Sequence, residues 1–152
     1  ADQSKKKLEL KKKIGNDSTK LSTPLTEELY LAIIHQDIDI LEKHFDDKLI
    51  RQYTLDFLKN HLEPKCNILY KREAYRDETD NFRITFDHSL RISRFDENID
   101  AESIKLMKDS MLIMEIKYEF FLPKEIKQII KSISANQISY SKYFTGYEQI
   151  IL

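Results

Sequence analysis

The sequence predicts an α+β protein in which antiparallel strands lie on both sides of a helical segment. Residues 26–61 carry apolar side chains at helical spacing, which indicates amphipathic helices. After Pro64 the apolar spacing changes to two, and residues 7–14 already show the same alternation. Strands that alternate between apolar and charged residues are typical of antiparallel sheets.

The first strand is predicted over residues 7–14, where apolar and charged side chains alternate. Residues 15–18 read Gly-Asn-Asp-Ser, a composition typical of a turn. Residues 22–24 are predicted as a loop, and Lys20 lies between the turn and this loop.

Three short helices are predicted before Pro64, which ends the helical pattern. Thr26 is a suitable N-cap, and the two glutamates after it suit the first turn of a helix. The apolar stripes of the three helices are Leu29, Ala32 and Ile33; Ile38, Leu41 and Phe45; and Ile50, Tyr53, Phe57 and Leu58.

Alternation predicts four further strands in the second half of the chain. A short helix is expected near Ile104 and Met107, and the last recognisable pattern ends over residues 139–146. Pro123 suits the first turn of a helix whose isoleucines are expected in the core. The four strands are residues 67–75, 82–87, 89–94 and 111–120, and the isoleucines are Ile126, Ile129, Ile130 and Ile133.

Composition excludes several classes of protein. The 152 residues include 25 basic and 26 acidic side chains, a formal net charge of -1, which argues against a nucleic-acid-binding surface over the whole domain. The 41% hydrophobic content supports a core, and no apolar run approaches the roughly 18 residues of a membrane span. Two glycines exclude a glycine-rich phosphate loop. The single Cys66 forms no internal disulfide, which is simplest in a reducing cytoplasm.

Each predicted strand has an apolar face and a face that carries charged or polar groups. One interpretation is a sheet with one solvated face. In the other, the apolar faces pack against helices and the ionic faces line an enclosed passage. Cations held together there would need an anion of high charge density, and polyphosphate supplies one. A lone carboxylate among them, such as Glu115, would suit a divalent cation that bridges to phosphate.

Five short motifs, in order along the chain, resemble the VTC domain, the polyphosphate polymerase domain of the triphosphate tunnel metalloenzyme superfamily. The central signature is similar to residues 69–75 (LYKREAY) followed by residues 82–87 (FRITFD). The flanking motifs are residues 8–11 (LELK) with Lys20, residues 114–118 (MEIKY) with Pro123, and residues 141–143 (SKY) with Gly146.

The resemblance implies a role for each matched side chain. Phosphate or nucleotide would be bound by Lys11, Lys20, Tyr70, Arg72, Arg83, Ser141 and Lys142. Glu115 would bind the metal, Mn²⁺ or Mg²⁺. No catalytic residue is assigned. The implied fold is an antiparallel β-barrel that forms a tunnel, with helices packed outside.

The implied reaction is transfer of phosphate from ATP to a growing polyphosphate chain. The alternatives are a tunnel triphosphatase that hydrolyses triphosphate or a nucleoside triphosphate, and a polyphosphate-binding module without catalysis. Residues 1–152 would form a single domain, the C-terminal part of a complete one, because the family's first strands are not matched. The expected partners are ATP, polyphosphate and either a second copy or the N-terminal part, with no nucleic acid. The expected location is cytoplasmic, with membrane association only through a partner.

Ordinary structural explanations exist for the same residues. Arg72 and Arg83 could be surface arginines on a half-exposed sheet. Glu115 and Lys117 could form a solvated ion pair of little energetic weight. The sequence alone leaves these explanations open, and the orientation of Arg72 relative to Arg83 distinguishes them.

Overall fold

The computed structural model describes residues 5–14, 17–77, 79, 81–95, 102–133 and 137–151. The chain divides into two compact units, an N-terminal unit of Ala1–Pro64 and a C-terminal unit of Lys65–Leu152. Each unit has its own antiparallel sheet.

The N-terminal unit begins with a hairpin of strands β1 (Lys6–Ile14) and β2 (Asp17–Leu25). Strand β1 lies where the alternation predicts it. The loop predicted over residues 22–24 is wrong, because these residues continue β2. Pro24 lies opposite Lys7 near the end of a two-stranded sheet, a position where its missing N–H is tolerated.

Three helices follow, as predicted: α1 (Glu27–His35), α2 (Ile38–Glu42) and α3 (Lys48–Asn60). Each begins at a side-chain N-cap, because Thr26, Asp37 and Asp47 accept backbone N–H groups of the first turn. The core of this unit combines the predicted stripes of the three helices with the end of β2. Its members are Leu29, Ala32, Leu41 and Ile50, with Leu25, Ile33, Ile38, Ile40 and Tyr53 packed against them.

Asp47 joins two elements of the N-terminal unit. Its carboxylate caps α3 and also accepts a 2.5 Å hydrogen bond from the Thr23 hydroxyl on β2. The hydrogen bond from Thr23, together with the backbone N–H groups of Leu49 and Ile50, holds the pKa of Asp47 below its usual value.

We therefore expect Asp47→Ala to lower the free energy of unfolding of this unit by about 2 kcal/mol at pH 7. Because the folded pKa is depressed, the stabilisation is present above the unfolded pKa of about 3.9 and is lost as pH falls through the folded pKa. Hydrogen exchange of α3 amides measures the difference between pH 7 and pH 3. The neighbouring exposed Asp46→Ala is the control, and an equal effect of both variants would contradict this role.

The C-terminal unit contains one sheet of four strands: β3 (Cys66–Asp77), β4 (Phe82–Arg94), β5 (Ile104–Lys105) and β6 (Ile113–Tyr118). All pairings are antiparallel, and β4 is central, since β3, β5 and β6 all pair with it. The helix predicted near Ile104 is wrong, because Ile104 pairs with Ile92 as part of β5. A β-branched residue opposite another on a sheet packs well there.

The two strands predicted over 82–87 and 89–94 are one strand interrupted by a bulge. The register shifts between Leu69 and Lys71 on β3, so that Ser89 and Leu90 oppose the single Tyr70. Ser89 adopts a left-handed backbone, with φ of 55°. The extra residue changes the phase of β4: Thr85 and Asp87 are buried before the bulge, and Leu90 and Ile92 after it.

Two helices complete the described part of this unit, α4 (Lys124–Ser132) and α5 (Lys142–Ile151). Helix α4 follows Pro123 as predicted, but no residue of it is buried, and Ile129 is 58% exposed. The expectation that its isoleucine stripe lies in the core is therefore wrong for the described residues. Helix α5 was not predicted, although Tyr143, Tyr147 and Ile150 recur in it at helical spacing.

Helix α5 packs along β4. Lys142 at its first turn contacts Asp87, and the carbonyl of Ile150 at its end accepts from Arg94. Between them Gly146 is buried, and a methyl group there would overlap the side chain of Ile92. The helix can approach the strand this closely because Gly146 has no Cβ.

The α+β class with antiparallel sheets is therefore confirmed. Among the described residues the strands form one two-stranded and one four-stranded sheet, and neither closes on itself. The closed tunnel and the single domain stay predictions.

Candidate functional site

One face of the C-terminal sheet concentrates positive charge. Residues opposite each other in an antiparallel ladder project to the same side. Arg76 lies opposite Arg83, and Arg83 lies opposite Lys117, so these three cations form a row across β3, β4 and β6. Arg72 lies opposite Asp87 on the same face. We call this surface, with its members Arg72, Arg76, Arg83, Thr85, Asp87, Glu115 and Lys117, the cationic face.

The row of three cations borders an open pocket of about 310 Å³. In the part of the chain that the structure describes, neither Arg76 nor Arg83 contacts a carboxylate, and both are exposed. Lys117 pairs with Glu115 at 3.2 Å. Glu119 also lines the pocket, so the three cations face two carboxylates, Glu115 and Glu119, and an excess of positive charge remains.

Asp87 organises a second group of cations on this face. Its Oδ1 accepts from Nε of Arg72 at 2.6 Å, and its Oδ2 accepts from Nη2 of Arg72 at 2.6 Å. Nζ of Lys142 also lies 2.6 Å from Oδ2. Asp87 is only 1% exposed, whereas the side chains of Arg72 and Lys142 are 34% and 23% exposed.

The electrostatics of this group favour the charged forms of Asp87 and Arg72. Burial alone would raise the pKa of Asp87, but the hydrogen bonds and charges of Arg72 and Lys142 outweigh it and hold that pKa below its usual value. The hydrogen bond to Asp87 raises the pKa of Arg72, and the charge of Glu115 contributes in the same direction. Glu115 is therefore close enough for its charge to act on this group.

Tyr70, which lies on β3 opposite the bulge of β4, completes the group. Cζ of Arg72 lies 5.2 Å from its ring centroid, and Nζ of Lys142 lies 4.8 Å from it. Both cations thus contact the electron-rich ring face. Ser141 lies next to Lys142 and caps α5, because its Oγ accepts from the N–H of Phe144 at 3.2 Å.

Thr85 and Glu115 lie opposite each other between the two groups of cations. Thr85 is 1% exposed, and its Oγ1 has no hydrogen-bond partner among the described residues. A buried hydroxyl without a partner is costly. Glu115 is the second carboxylate of the cationic face, and it remains partly exposed.

The remaining two predicted residues lie in the N-terminal unit. Lys11 and Lys20 are opposite each other in the β1–β2 hairpin. Both form ion pairs with Glu9, whose carboxylate lies 2.6 Å from Nζ of Lys20 and 3.8 Å from Nζ of Lys11. The hydrogen bond from Lys20 holds the pKa of Glu9 below its usual value against the opposing effect of burial.

The structure thus brings Tyr70, Arg72 and Lys142 together and places Arg83 and Glu115 on the same face. Sequence reasoning missed Asp87 and Arg76. Alternation in the strand predicted over residues 82–87 puts Asp87 on the same face as Arg83, and that was the available signal. Arg76 lies just beyond the strand predicted over residues 67–75, but β3 continues through Asp77. Alternation over residues 89–94 leaves Arg91 on the polar face of its strand, but the bulge places it on the side of the sheet opposite the cationic face, where its Nε donates to Ser103.

In the described parts of the chain, every helix is too short or too polar to cross a bilayer. No curated protein and no solved structure matches the chain significantly. A family model of the VTC domain matches residues 1–151. The match spans nearly the whole sequence and includes all eight predicted site residues. The chain therefore belongs to the VTC domain family.

Proposed function

We propose that this chain binds polyphosphate on the cationic face and transfers the terminal phosphate of ATP to the growing polyphosphate chain. Membership of the VTC domain family supports a polyphosphate-related function. The observation that carries the proposal is the row of Arg76, Arg83 and Lys117 beside the group formed by Arg72, Lys142 and Asp87.

Like charges directly opposite each other destabilise a sheet, so a row of three cations needs a compensating anion. A chain of linked phosphates fits this requirement better than a single anion, because its charges repeat along its length. Arginine forks bind phosphate oxygens with two hydrogen bonds, and lysine adds a movable charge.

A divalent cation, Mn²⁺ or Mg²⁺, fits Glu115. No three His, Cys, Asp or Glu side chains cluster as a metal cage among the described residues. Such a cage is not required, because Mg²⁺ in phosphoryl-transfer sites is held by one or two carboxylates together with substrate phosphates and water. Glu115 is partly exposed on the cationic face, and the unpartnered Oγ1 of Thr85 lies opposite it. The ion would offset the charge that develops on the transferred phosphate.

The proposed step balances without an oxidant or a general base. A terminal oxygen of the polyphosphate chain attacks the γ-phosphorus of ATP. The bond between that phosphorus and the β–γ bridging oxygen breaks, and ADP leaves with the electron pair. Arg72, Arg83 and Lys142 would hold the reactants in line and stabilise the charge on the phosphate oxygens.

Incubation with ATP and Mn²⁺ tests this proposal. We expect long-chain polyphosphate and one ADP for each phosphate transferred, because polyphosphate oxygen is the acceptor. Gel electrophoresis and nucleotide chromatography measure the two products. An Arg83→Ala variant should lose most of the activity, whereas Arg51→Ala, an exposed arginine on α3, should retain it.

Two other outcomes would contradict the polymerase. Release of orthophosphate alone would indicate a triphosphatase, in which water is the acceptor. Binding of polyphosphate without turnover would indicate a binding module. These alternatives share the cationic face, so only the products separate them.

A further inference from the structure

We propose that Asp87 is a positioning residue that holds Arg72 and Lys142 as one phosphate-binding clamp, an inference that rests on the proposed function. Asp87 contacts both cations at 2.6 Å, although one comes from β3 and the other from α5. A single buried carboxylate therefore fixes the relative position of two elements and of the two charges that they carry.

Arg72 and Lys142 keep hydrogen-bond donors for phosphate that their contacts with Asp87 do not use. Asp87 occupies Nε and one N–H of Nη2 on Arg72. The guanidinium has five donors, so its Nη1 edge stays available. Lys142 donates one of its three N–H groups to Asp87. Because both cations are partly exposed while Asp87 is buried, a ligand can reach the free donors without displacing the carboxylate.

The charges indicate that Asp87 holds Arg72 and Lys142 in position and does not compete with phosphate for them. Arg72 and Lys142 both lie near the Tyr70 ring, at 5.2 and 4.8 Å from its centroid, and two cations this close repel each other. Asp87 offsets one of the two charges and leaves the other for an incoming anion. The carboxylate has no free donor of its own, so it cannot bind phosphate directly.

Calorimetric titration of the full chain with tripolyphosphate tests this role. Asp87→Asn keeps the size of the side chain but removes its charge, and it replaces one accepting oxygen with an NH2 group that cannot accept from Arg72 or Lys142. We expect the Kd to rise about tenfold, although the substitution adds positive charge. Asp109→Asn is the matched control, since it also removes a carboxylate 2.7 Å from a lysine of this unit, and we expect it to leave the Kd unchanged.

A double-mutant cycle separates positioning from general destabilisation. In an Arg72→Met background, Asp87→Asn should change the Kd less than twofold, because one member of the clamp is already absent. An unchanged or lower Kd for Asp87→Asn alone, or the same tenfold loss in the Arg72→Met background, would overturn the inference. Failure of the wild-type chain to bind tripolyphosphate would overturn the proposed function, and this inference with it.

A measurement on the wild-type chain does not depend on how the variants fold. The NMR signal of the Arg72 Nε–H should stay protected from solvent exchange when tripolyphosphate binds, because Asp87 keeps that donor. Loss of protection would show that phosphate displaces the carboxylate, and it would overturn the inference.

Discussion

Replacing Arg72 by methionine is expected to raise the Kd for polyphosphate about 100-fold, because a bidentate, charge-assisted contact is worth roughly 3 kcal/mol. The substitution should also lower the free energy of unfolding of the C-terminal unit by about 2–3 kcal/mol. The reason is that Asp87, 1% exposed, keeps only Lys142 as a partner.

Titration calorimetry and urea denaturation measure the two effects. Arg72→Lys should fall between wild type and Arg72→Met in affinity, since it keeps the charge and loses the fork. Arg91→Met is the control, because Arg91 lies on the opposite face and bonds to Ser103. Equal loss of affinity in Arg91→Met and Arg72→Met would refute a specific role for the cationic face.

Glu115→Gln is expected to lower the Mn²⁺-dependent turnover at least 100-fold. The carboxylate is the group proposed to hold the metal ion, and its loss should weaken metal binding by several kcal/mol. The Kd for polyphosphate without metal should rise no more than about twofold. Removing a negative charge from a cationic surface does not oppose the binding of an anion.

Electron paramagnetic resonance of Mn²⁺ in the presence of polyphosphate measures the affinity for the metal. Glu125→Gln, an exposed glutamate on α4, is the matched control. If Glu115→Gln binds Mn²⁺ as tightly as this control, the metal is held elsewhere and the assignment of Glu115 is wrong.

Periodicity in the sequence predicts most of the elements, because strands and amphipathic helices have different apolar spacing. The strands β1, β3 and β6 and the helices α1 to α4 follow the predicted pattern. Helix α5 was not predicted; glycine is unfavourable inside a helix, but Gly146 lies there because it allows close contact with Ile92. Sequence spacing does not reveal which distant strand a helix approaches.

The sequence predicts which face of each strand carries the site residues, but not which of these residues contact each other. Alternation assigns Arg72 and Arg83 to the polar faces of their strands, and the register shows that these two faces lie on the same side of the sheet. The role of Asp87 depends on α5, because Lys142 contacts it from that helix. The sequence does not predict where this helix packs. The bulge at Ser89 changes which residues of β4 are buried, and local sequence contains no clear signal for it. The resemblance named Lys142 but not the carboxylate that it meets.

The most direct test of the central claim is a crystal structure of this chain with tripolyphosphate and Mn²⁺. We expect phosphate density on the cationic face, in contact with Arg72, Arg83 and Lys142, and an anomalous Mn²⁺ peak next to Glu115. Phosphate bound only on the opposite face of the sheet, or no phosphate at saturating concentration, would contradict it.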